Sequence, residues 1–119
     1  MSLPTIKAPS DISRMFSSGS RVSNRYITFI YSNIDLNDKH DRKGRVAFIA
    51  GKKNGNAVWR NSAKRRMREI YISQRHKLEN IDILFIAKPP LLEDSYSKVL
   101  KTCETTINRI GQKKNKTDR

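Results

Sequence analysis

The stretch KKNGNAVWRNSAKRRMR, Lys52–Arg68, carries seven cations and no acid, and its reading decides how the chain folds. Gly55 permits a close backbone approach, Asn56 is a good helix N-cap, and Ala57 onward has the composition of a helix running to about Arg75. At about 100° per residue, Trp59, Ala63, Met67, Ile70 and Tyr71 share one arc and must bury against a sheet. Arg60, Asn61, Lys64, Arg65 and Arg68 fall on the opposite arc. Like charges at i, i+4, such as Arg60 with Lys64 and Lys64 with Arg68, cost a few tenths of a kcal/mol each, so stability does not call for this ridge. A merely solvated face interleaves Glu with Lys, whereas Glu69 is the only acid in the first four turns here. The pattern therefore points to phosphate. Arginine adds a planar fork that grips phosphate with two hydrogen bonds, and Asn61 offers a donor and an acceptor to a base or sugar. The Lys52–Asn56 loop brings backbone amides and the positive helix end to the same place. Arg66 falls beside Trp59 and Ile70 on the wheel, so its stem is expected on the apolar seam with its head turned outward, outside the binding set.

Outward from this helix, Ser10 is expected to cap a helix over residues 11–18 with Ile12, Met15 and Phe16 on its apolar side, ended by Gly19 in a left-handed conformation. Residues 26–31 read as a strand with Ile27, Phe29 and Tyr31 on one face and Tyr26, Thr28 and Ile30 on the other. Ser32–Gly44 is a polar connection, residues 45–50 a second strand, and the nearly continuous apolar run of residues 81–87 a third, centrally placed strand stopped by Pro89-Pro90. Tyr96, Val99, Leu100, Cys103, Ile107 and Ile110 recur at steps of three and four, which predicts a final amphipathic helix capped by Asp94 or Ser95 and ended by Gly111. The reading is one α+β domain over residues 1–111, an α-β-β-α-β-α sandwich with helices on one side of a short sheet, and a mobile basic tail over 112–119.

The 119 residues leave no room for a second catalytic domain. Against 11 Asp and Glu stand 25 Lys and Arg, a net charge of +14 that predicts a polyanionic partner. A single cysteine, Cys103, excludes a disulfide framework, and no apolar run approaches a membrane span or a signal-peptide core, so a cytoplasmic location is expected. Asp35, Asp38, His40 and Asp41 form the one acidic cluster with a histidine, but they sit in a polar loop without helical or strand spacing. His76 lies near a helix end and suits the helix dipole better than general-base chemistry, and Cys103 on an apolar seam reads as a core thiol. Neither a metal site nor catalytic residues are expected in the protein.

The segment from Lys52 to Arg65 closely resembles the signature of the bacterial ribonuclease P protein subunit, KK-x-GNAV-x-RNR-x-KR-x-x-R on the central helix. The similarity extends to Ile12, Phe16 and Gly19, to Asp82–Ala87 followed by Lys88-Pro89, and to the closing helix. The resemblance implies a ribosomal protein S5 domain 2-like fold: a short mixed sheet with a left-handed parallel crossover through the central helix, against the usual handedness. It implies a catalytic RNA subunit as the main partner, precursor tRNA as the substrate, and Mg2+ held mainly by that RNA for endonucleolytic removal of the 5′ leader. Small-molecule substrates and membranes have no part in it. On this resemblance Lys52, Lys53, Arg60, Asn61, Lys64, Arg65 and Arg68 face the catalytic RNA, together with Asn56 at the helix start, and Ile12, Phe16 and Ile30 line a cleft for the single-stranded leader, beside Thr28 and Tyr26. Ser62 stands where the signature has its second Arg, and Ile12 and Ile30 stand where aromatics are common, which leaves Phe16, with Tyr26, to stack on bases. The competing reading is a non-catalytic, ribosome-associated RNA-binding protein.

Overall fold

The computed structural model describes residues 3–34 and 43–117, the last seven as backbone only. The order is α1 (Pro9–Ser18), β1 (Ser20–Ser23), β2 (Ile27–Asn33), β3 (Val46–Ile49), α2 (Ala57–Gln74), β4 (Ile81–Ala87) and α3 (Tyr96–Thr117). Four strands form one mixed sheet in the order β1-β2-β4-β3. β4 is central as its apolar run predicts, antiparallel to β2 and parallel to β3, which reaches it through α2.

Alternation in the strands decides what each face does. Ile27, Phe29 and Tyr31 of β2 join Val46, Ile83 and Phe85 in the main core, covered by Ala63, Met67, Ile70 and Tyr71 of α2 and by Val99, Cys103, Ile107 and Ile110 of α3. Phe85 is the hub of this layer, meeting Phe29 edge-to-face at a centroid distance of 4.8 Å and Phe48 at 5.5 Å. The other face carries a smaller cluster of Ile6, Met15, Ile30 and Leu84 beneath α1.

Several local expectations are corrected. β1 is an additional strand, so the order is α-β-β-β-α-β-α. Its four residues are mostly exposed and are held by the ladder to β2 rather than by apolar alternation. The helices lie on both faces of the sheet, not one. α1 starts two residues earlier than expected: Pro9 takes its first position, Ala8 is the cap without a side-chain bond, and Ser10 lies inside the helix. Gly19 is extended, φ −73°, not left-handed. It is glycine for space, because a Cβ there would sit 2.6 Å from the Met15 carbonyl oxygen and 2.7 Å from Ile30 Cγ2. α3 is capped by Ser95, whose Oγ accepts from Lys98 N at 3.3 Å, and runs past Gly111 to Thr117. The segment before α1 bridges Thr5 to Val46 in parallel at the outer edge of β3. No helix among the described residues is long and apolar enough to cross a membrane.

Candidate nucleic-acid interface

The ridge helix begins as its sequence requires. Asn56 Oδ1 accepts from the Trp59 amide at 2.9 Å, and a Cβ on Gly55 would come within 2.8 Å of the Trp59 side chain, so the turn closes only over glycine. Ala63, Met67, Ile70 and Tyr71 are buried and Trp59 is half-buried, while Asn61, Lys64, Arg65 and Arg68 are exposed and Arg60 is half-buried. The arcs of the wheel are thus the faces of the folded helix. Arg68 also lies over the Phe48 ring, 5.9 Å from its centroid.

Arg66 departs from expectation. Its guanidinium does not turn outward; Nη1 donates to the carbonyls of Leu91 at 3.1 Å and Asp94 at 2.8 Å, tying α2 to the turn after β4. Lys52 and Lys53 occupy a 3₁₀ turn before α2, both exposed. Asn54 of that turn donates to the Ala87 carbonyl at 3.2 Å, which pins the lysine pair beside the end of β4.

At this same end the reverse face of the sheet stays partly open. Strand register sets Thr28 opposite Ile86 and Ile86 opposite Ile49, a row of half-buried residues across β2, β4 and β3. The next row, Ile30, Leu84 and Ala47, is roofed by Met15 of α1. Ile12 is half-buried at the edge of α1, and the Phe16 side chain is 45 % exposed. The result is a shallow, partly open apolar groove beside α1, with the exposed Phe16 ring on that helix and two lysines following Ile49. Ala47, Ile49 and Ile86 belong to it, although the sequence did not single them out; only the pairing register shows which of their faces is shared.

Two residues assigned to the groove are not on its surface. Ile30 is 1 % exposed and forms a closed part of the floor. Tyr26 is 2 % exposed and joins the opposite core, its hydroxyl donating to Asp94. That bond to a carboxylate holds the phenol pKa above its ordinary value and the Asp94 pKa below its own. Tyr26 therefore locks β2 to the start of α3 and cannot stack on a base.

Cys103 is a buried core thiol, and Asn24 Nδ2 donates to it at 3.6 Å. His76 is exposed in the 3₁₀ turn after α2. Asp35, Asp38, His40 and Asp41 lie outside the described residues.

Comparison with known proteins bears on the family and the fold. The ribonuclease P family model matches residues 3–111. The ribonuclease P protein component of Streptococcus agalactiae is 33 % identical over 106 residues, covering 89 % of this chain and 93 % of that one. Its counterpart in Staphylococcus epidermidis is 34 % identical over 113 residues, with 88 % and 94 % covered. The solved Staphylococcus aureus RNase P protein superposes with a TM-score of 0.76 at 27 % identity, over 92 % of this chain and 96 % of that one. The Thermotoga maritima protein shares the fold at a TM-score of 0.74 and 21 % identity, over 88 % and 96 %. With a family model covering nearly its whole length and relatives above 30 % identity, the chain belongs to the ribonuclease P protein family.

Proposed function

We propose that this protein component of the tRNA-processing ribonuclease binds a catalytic RNA through the ridge of α2 and receives the 5′ leader of precursor tRNA in the groove beneath α1. The observation that carries the reading is the continuity of the two surfaces: Lys52 and Lys53 follow the groove's Ile49 and lead directly into the helix bearing Arg60, Asn61, Lys64, Arg65 and Arg68. An unpaired strand needs an apolar floor for bases and cations for its backbone, and this site offers both in one path.

Hydrolysis on this reading belongs to the RNA, whose phosphates hold the magnesium ions that activate water and stabilise the leaving oxygen. Among the described residues, three carboxylates have structural partners: Asp11 and Asp82 both pair with Arg45, and Asp94 takes the Tyr26 hydroxyl. The chain positions substrate and neutralises phosphate charge in the cytoplasm. The ribosome-associated alternative is not favoured, since the matched relatives bear the ribonuclease P name.

Reconstitution tests the proposal. RNA-free protein should leave precursor tRNA intact, and the cognate catalytic RNA plus protein in low magnesium should release the leader and leave a 5′ phosphate on the tRNA. Cleavage by the protein alone, or no stimulation of the RNA, overturns it.

A further inference from the structure

The first turn of α1 takes part in a chain of charges that the ridge and groove do not use. Arg45, just before β3, donates its backbone N–H to Asp82 Oδ1 at 2.9 Å and its Nη2 to Asp82 Oδ2 at 3.0 Å, so it is clamped to β4. Its Nη1 lies 3.5 Å from Asp11 Oδ2 of α1. Asp11 Oδ1 in turn receives Arg14 Nη2 at 2.5 Å. Charges alternate along Arg14, Asp11, Arg45 and Asp82, from an open guanidinium to a nearly buried carboxylate.

The chain on either side of α1 is tied to the sheet by the Thr5–Val46 bridge and by β1, but the helix's own packing support is thin. Met15 is its one buried residue, resting on a cluster of few members, and Ile12 is only half-buried. Apolar contact of this kind is non-directional: it holds the helix down without fixing where along the sheet it sits. An ion pair with a clamped, half-buried arginine is directional. Among the described residues, Asp11–Arg45 is the ion pair that joins α1 to the sheet.

We infer that Asp11 and Arg45 pin α1 at a set position over the sheet and thereby fix the width of the groove between α1 and the row Thr28, Ile86 and Ile49. Both are positioning residues for a single-stranded nucleic acid, acting through Phe16 and Ile12 rather than by touching the strand. The inference rests on the reading of the groove as the leader site.

The test uses full-length protein with Asp11→Asn, Asp11→Glu and Arg14→Ala. Amide exchange of α1 is measured on the free protein, and affinities for precursor and mature tRNA on the holoenzyme. In Asp11→Asn, α1 amides should exchange roughly three- to tenfold faster, and the preference for precursor over mature tRNA should fall by a similar factor, the range expected when one half-buried ion pair is lost. Affinity for the catalytic RNA should not change. Asp11→Glu keeps the charge and should restore both readouts to within about twofold, and Arg14→Ala should leave α1 exchange near wild type because the inner pair survives. Unchanged α1 exchange in Asp11→Asn overturns the pin. Faster exchange with an intact precursor preference overturns the positioning role while the pin itself stands, and the leader reading is decided separately by Phe16→Ala.

Discussion

Asn56 and Trp59 close the first turn of α2 on each other: the asparagine side chain accepts the tryptophan amide, and the indole stem packs over the glycine preceding the asparagine. Asn56→Ala should lower folding stability by about 1 kcal/mol, read from the urea midpoint. Asn56→Ser retains a cap and should recover most of the loss. If the serine variant also recovers RNA affinity, Asn56 serves the interface by starting the helix; if RNA binding stays weak, its amide contacts RNA directly.

The ridge should behave as independent phosphate neutralisers. Alanine at Arg60, Lys64, Arg65 or Arg68 should each reduce the slope of log affinity for the catalytic RNA against log salt by up to about one. Circular dichroism should stay native, because Lys64, Arg65 and Arg68 are exposed and Arg60 is only half-buried. A slope unchanged in the Arg60→Ala, Lys64→Ala double variant would make the ridge an ordinary solvated surface.

Phe16 tests the groove. Its exposed ring contributes little to the core, so Phe16→Ala should fold normally and lose roughly 1–3 kcal/mol of affinity for precursor tRNA if a base stacks there. Mature tRNA and catalytic RNA should bind as before. Titrations with matched substrates that differ only in the leader give the comparison, and equal losses on both would remove Phe16 from the leader site.

Cys103 predicts an alkaline limit. Burial raises its thiol from an ordinary 9.0 to about 11, with the Asn24 bond pulling weakly the other way. A raised thiol favours the native state while protonated, so its contribution is complete below pH 9 and is lost as pH climbs toward 11. A shift of this size corresponds to roughly 2–3 kcal/mol by the top of that window. Thiol reagents at pH 8 should label Cys103 only on unfolding, and Cys103→Ala should flatten the stability curve between pH 9 and 10 and lessen its fall toward pH 11. Tyr71 and Tyr96, raised by burial, and Tyr26, raised by its bond to Asp94, add a decline that begins near pH 10 and that the alanine variant keeps.

What the sequence made legible was what neighbours along the chain decide. The cap at Asn56, the two arcs of α2, the alternation in β2 and the apolar run of β4 are local signals, and each has its counterpart in the fold. The failures have partners far away. Tyr26 is withdrawn by Asp94, 68 residues later, and Arg66 turns inward because the carbonyls of Leu91 and Asp94 wait for it. β1 is short and polar, and only its ladder to β2 makes it a strand. The groove residues Ala47, Ile49 and Ile86 needed the parallel register of β3 on β4, which no periodicity encodes. At Gly19 the residue type was informative and the reason was not: crowding by Met15 and Ile30, not backbone handedness, demands it.

The alternation of β2 has a consequence for how this protein can change over generations. Ile27, Phe29 and Tyr31 answer to the packing of α2 and α3, whereas Thr28 and Ile30 answer to the groove side, so two requirements are interleaved in one ribbon like alternate letters of two messages. A substitution on one message leaves the other readable. Insertion or deletion of a single residue within β2 exchanges them, sending Phe29 toward the groove and Thr28 toward the core. Drift in this strand is therefore open in composition at Thr28, restricted by packing at Ile30, and closed in length, so change on this side comes by replacement and not by slippage.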